Sequence, residues 1–105
     1  MKKEYDKLVR DRIPEILEEA GKRFELHQVD SKTLRSYAFK KLREEVDEFI
    51  EDPCAEEAAD VMEIMNFICH RAGIYTHTIV AEATSKRIER GGFDMGFILK
   101  SVEDE

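Results

Sequence analysis

Four acidic residues, Glu45, Glu48, Glu57 and Asp60, stand in two pairs three positions apart. On a helix, residues three apart leave the same side, so each pair can aim two carboxylates at one point. Carboxylate oxygens are hard donors that suit Mg²⁺ or Mn²⁺ and not a sulfur- or nitrogen-seeking metal. Four of them brought close could not all stay ionised without a cation. Mg²⁺ keeps several waters and bridges to phosphates, so an all-carboxylate site points to a phosphate-bearing ligand.

The elements that carry these residues follow from the apolar pattern. Asp30 or Ser31 can cap a helix that meets no proline or glycine until Pro53, about twenty residues of helix. Ala38, Phe39, Leu42, Val46, Phe49 and Ile50 form its apolar arc, with Lys41, Glu45, Glu48 and Asp52 as a stripe along one border. A third helix from about Pro53 to Ala72, with Asp52 as its expected N-cap, ends at Gly73. Cys54, Ala58, Val61, Met62, Ile64, Met65, Ile68 and Cys69 form its arc, and Glu57 projects between Ile64 and Ile68 inside it. A Glu within an apolar stripe is costly unless a metal, a cation or a proton compensates it. Asp60 lies at the edge. A break at Pro53 folds the two helices into an antiparallel hairpin, which brings residues 45–48 against 57–60. Glu45 and Glu48 alone also fit an ordinary solvated face, and Lys41 with Glu44 or Glu48 fits a surface charge pair.

The remaining chain adds a short first helix after Pro14, closed near Gly21, and a fourth from Thr76 or Thr78 to Gly91-Gly92. Residues 23–29 and 93–99 alternate weakly and allow a small two-stranded element. The expected fold class is all-α, a bundle of four to five helices in one domain over 1–105. Phe93 is expected as a core anchor.

Bulk properties narrow the function classes. A formal charge of −7 disfavours a nucleic-acid groove binder, which needs clustered Lys and Arg. An acidic chain that handles phosphate must take cations from elsewhere, and divalent metal is the ready supply. No apolar run approaches twenty residues and no secretory signal is visible, so no membrane is expected. Cys54 and Cys69 read as reduced, buried thiols of a cytoplasmic protein. With 105 residues, 39% of them charged, the chain is expected to complete its core by oligomerising.

The segments KLREEVDEF (Lys41 to Phe49) and EEAADVMEIMNFI (Glu56 to Ile68) resemble the two-part signature of the MazG-like all-α nucleoside triphosphate pyrophosphohydrolases. YDKLVRDRIPEIL (Tyr5 to Leu17) and KRIERGGF (Lys86 to Phe93) are similar to motifs of a small branch of that family. The resemblance covers most of the chain. It implies Mg²⁺-dependent cleavage of a nucleotide to its monophosphate and pyrophosphate. It implies Glu45, Glu48, Glu57 and Asp60 as metal ligands, with Glu44 beside them; Glu44 and Glu48 are the candidate proton acceptors. It further implies Lys86 and Arg90 as phosphate-binding residues, and a homodimer or homotetramer with shared active sites. Two features depart from the family pattern: the stretch from Phe49 to Glu56 is short, and Ala83 stands where many relatives carry Asn.

Arg10 and Arg12 fit either a phosphate contact or a pairing with a neighbouring subunit. His27, His70 and His77 share no ligand spacing, and Tyr37 and Tyr75 are equal candidates to stack on a base. Two rival functions are a non-catalytic helical oligomerisation or nucleotide-sensing module, and a phosphoribosyl-ATP pyrophosphohydrolase.

Overall fold

The computed structural model of the chain describes residues 1–104. It is all-α: α1 spans Ile13–Glu19, α2 Ser31–Glu51, α3 Ala55–Arg71 and α4 Thr76–Arg90. No strand forms among the described residues, so residues 23–29 and 93–99 do not pair. Ile98 breaks the alternation of the second segment, and almost every residue of both lies exposed, which leaves no apolar face to drive pairing.

Local chemistry sets the helix ends. The Asp30 carboxylate accepts from the Thr33 backbone N–H at 2.8 Å and so caps α2. Pro53 disfavours helical backbone at the residue before it, and Asp52 leaves the helix with φ −140°. Asp52 therefore closes α2 and does not cap α3. The N-cap of α3 is Cys54, whose side chain makes no capping hydrogen bond. At the other end of α3, Gly73 takes φ +75° while the Ile74 N–H reaches back to the Cys69 carbonyl at 2.8 Å.

Tertiary packing is concentrated between α2 and α3; α4 touches α3 only sparsely. Ala38, 2% exposed, lets the two backbones approach, and Ile64 is the other buried apolar side chain. The hairpin register advances in layers seven residues apart, two helical turns each. Arg71 donates to Ser31 at one end, Ala38 and Ile64 fill the middle, and Glu45 lies beside Glu57 in the third.

Much of the expected core is uncovered. Phe49, Ile50, Cys54, Met62 and Met65 are exposed, and Phe93, expected as an anchor, is 97% exposed. The radius of gyration is 19.0 Å and the longest dimension 65 Å. A compact chain of this length would have a radius near about 13 Å. No helix among the described residues is long and apolar enough to cross a membrane.

Ile64 carries the apolar part of the hairpin, so Ile64→Ala should lower unfolding free energy by about 2–5 kcal/mol, read by chemical denaturation. A loss within about 0.5 kcal/mol, ordinary for a surface position, would contradict this packing.

Candidate metal centre

Glu45 holds the position in α2 that Ala38 occupies one layer earlier. It faces α3 and is only 7% exposed, the one buried charged residue among those described. Glu57, at the start of α3, shares a helix face with Ile64 for the same seven-residue reason. Asp60, one turn further along, completes the group: one carboxylate oxygen from each of Glu45, Glu57 and Asp60 lies within 4.8 Å of the others.

Two cations reach this cluster. The Lys41 ammonium lies 3.2 Å from Glu45 Oε1, with both side chains largely shielded, so the pair belongs to the interior of the hairpin and not to its surface. Arg10 Nη2 donates to Asp60 Oδ1 at 2.7 Å and ties the N-terminal segment to α3. That contact gives Arg10 a partner within its own chain, while Arg12 pairs with Glu15 at 2.8 Å on the surface.

Glu48 is exposed and stands outside the three-oxygen cluster, yet it borders Glu45. The charge on Glu45 raises the Glu48 carboxyl above its ordinary value, followed by a hydrogen bond between the two carboxyls, partial desolvation and the charges of Glu57 and Glu44. Desolvation raises Glu57, and Asp60 and Glu45 add to it. The interacting set is therefore four carboxylates, Glu45, Glu48, Glu57 and Asp60, against two cations, Lys41 and Arg10. The shortfall equals the charge of one divalent ion.

The donor set fits such an ion. Oε2 of Glu45 and Oε2 of Glu57 are buried and have no hydrogen-bond partner. Buried acceptors are rarely left unpaired, because each costs its desolvation. Here the two orphans belong to residues that also converge with Asp60, all hard oxygen donors. Glu44, half-buried, influences Glu48 but does not enter the cluster.

The other sequence candidates lie elsewhere. Lys86 and Arg90 are exposed on α4 and form no ion pair with a described residue. Tyr37 donates to Asp6 at 2.6 Å, and Tyr75 stacks on His77. Cys54 and Cys69 are free thiols. Sequence reasoning left the role of Arg10 open and set Glu45 only at the border of the apolar arc. The signal for Glu45 was present in its seven-residue distance from Ala38. No family profile, curated protein or solved structure was found to match the chain.

Raised carboxyls bind protons more tightly in the folded chain, so they stabilise it below their unfolded values and lose that contribution as pH rises through the folded ones. Metal-free melting temperature should thus fall as pH rises above 4.5, the ordinary value of both groups, on account of Glu48 and Glu57. Added Mn²⁺ should restore it most at the upper end. Glu57→Gln should flatten the slope and abolish the Mn²⁺ response; an unchanged slope and response would refute the site. Arg10→Ala should steepen the slope and tighten Mn²⁺ binding, measured by electron paramagnetic resonance.

Proposed function

We propose that this chain is a MazG-like pyrophosphohydrolase that uses Mg²⁺, or Mn²⁺ in its place, to split a nucleoside triphosphate or related nucleotide into the monophosphate and pyrophosphate. The observation that carries the reading is the convergence of Glu45, Glu57 and Asp60, two of which also hold a buried, unpartnered acceptor. The four sequence segments that resemble the family support it independently. In this reading Glu45, Glu57 and Asp60 hold the ion, and Glu48, expected as a fourth ligand, stands beside them on the solvent side. When bound, the ion would offset the negative charge of the phosphates.

Hydrolysis forms a bond between a water oxygen and one phosphorus of the α–β anhydride. The bridging P–O bond breaks, and the group on its far side leaves with the electron pair, pyrophosphate for attack at the α phosphorus and the monophosphate for attack at β. The proton released by the water goes to a carboxylate that the ion leaves free. Glu48 suits this role: it is open to solvent, and its raised value makes it a better proton acceptor than an ordinary Glu. Glu44 is the neighbouring alternative. Lys86 and Arg90 are assigned to the departing phosphates, delivered by α4 when copies assemble. The extended shape and uncovered apolar side chains support a homodimer or homotetramer with shared sites. A cytoplasmic setting agrees with the two free thiols.

A second reading, a non-catalytic oligomerisation or nucleotide-sensing module, draws on the same exposed apolar surface. Phosphoribosyl-ATP is the more specialised substrate alternative. A panel of nucleoside triphosphates and phosphoribosyl-ATP, assayed with Mg²⁺ for pyrophosphate release, separates them. Turnover should fall by at least about 100-fold in Glu57→Gln and rise with pH through the Glu48 ionisation. Lys86→Ala should raise KM more than it lowers kcat. Binding of nucleotide without turnover by the parent would overturn the enzyme reading and favour the sensing module.

A further inference from the structure

From the middle layer to the far one, about 10 to 21 Å along the hairpin from the carboxylates, α2 and α3 form a groove of opposite character. Its cavity, about 270 Å³, is lined by Ala38, Phe39, Phe67 and Ile68 and flanked by Arg35 and Arg71. The Arg35 guanidinium lies 5.5 Å from the centre of the Phe39 ring, and that of Arg71 lies 5.7 Å from Phe67. Arg71 also donates to Ser31 at 3.2 Å. Stacking on a ring fixes the plane of a guanidinium and leaves its N–H edge available to a carboxylate. Neither arginine has a carboxylate partner among the described residues, in a chain whose net charge is −7.

The chain itself carries the complement. Beyond α4, Phe97, Ile98 and Leu99 are exposed, as is Val102, and the acidic pair Glu103 and Asp104 follows. An extended segment places Glu103 about 13 Å beyond Leu99. The groove runs along α2 from Ser31 to Ala38, about 10 Å, so Val102 seated beside Phe39 and Phe67 brings the adjoining Glu103 and Asp104 to the arginines, while Phe97 to Leu99 extend along the hairpin past Ala38. In the structure the tail runs clear of its own groove: every described residue after Gly91 is exposed.

We propose that the C-terminal segment Phe97–Asp104 of one copy docks in the Arg35/Arg71 groove of a second copy, and that two copies exchange tails reciprocally about a two-fold axis. This interface is separate from the metal centre and does not depend on the reaction assigned to it. Exchange of an identical segment covers apolar surface on both partners with contacts the sequence already encodes.

Sedimentation equilibrium on the full chain tests it. Arg35→Glu/Arg71→Glu and Glu103→Lys/Asp104→Lys should each weaken self-association by about tenfold or more, with helical circular dichroism unchanged. Mixing the two charge-reversed variants should restore association, because each then presents the tail that fits the other's groove. A carbodiimide should couple Lys32, beside Ser31, to Glu103 or Asp104. In a mixture of isotopically light and heavy copies those links should join copies of different mass. Association that ignores both reversals, a parent chain that stays monomeric, or links confined to single copies would overturn the proposal.

Discussion

Two carboxylates, Glu45 and Glu57, occupy a layer of helix contact that an apolar pair would fill more cheaply. The α2–α3 hairpin has only three such layers along its length. Ala38 and Ile64 supply the apolar one, and the acidic layer must be made tolerable by its surroundings. Lys41 and Arg10 supply part of the compensation, from the same helix and from the N-terminal segment. The Glu45 charge raises the Glu48 carboxyl and desolvation raises that of Glu57, so both hold their protons to higher pH than an ordinary Glu.

The hairpin was readable from residue types because three local rules agreed. Asp30 begins α2, Pro53 interrupts the pair and Gly73 ends α3, each at the position its backbone preference dictates. Glu57 was legible as an anomaly within an apolar stripe. Glu45 was underestimated, because the arc drawn through Leu42, Val46 and Phe49 put the centre of burial away from it. The Ala38 contact moves that centre toward Glu45, and a small residue gives little weight in any hydrophobic pattern. The apolar stretch from Phe93 to Leu99 looked like core and strand. Its alternation carried no information about what it packs on, and within one copy it packs on nothing.

Arg10 was not assignable because its partner lies fifty positions away, at Asp60. No periodicity encodes that contact; it follows from where the N-terminal segment runs over α3. The groove at the opposite end is a similar case. Each of its arginines sits four positions from the ring it covers, a local signal, but the pairing of Arg35/Phe39 with Phe67/Arg71 needed the hairpin register. The two ends of the hairpin thus carry opposite charge, an acidic cluster at one and a basic groove at the other.

The central claim is that the acidic layer exists to hold a hard divalent cation. Calorimetric titration of Mn²⁺ into the metal-free chain, repeated in buffers of different ionisation enthalpy, tests it most directly. The account predicts saturable binding with proton release, because the ion displaces protons from Glu48 and Glu57, and loss of both signals in Glu45→Gln and Glu57→Gln. Binding that releases no proton, or that survives both substitutions, would contradict it.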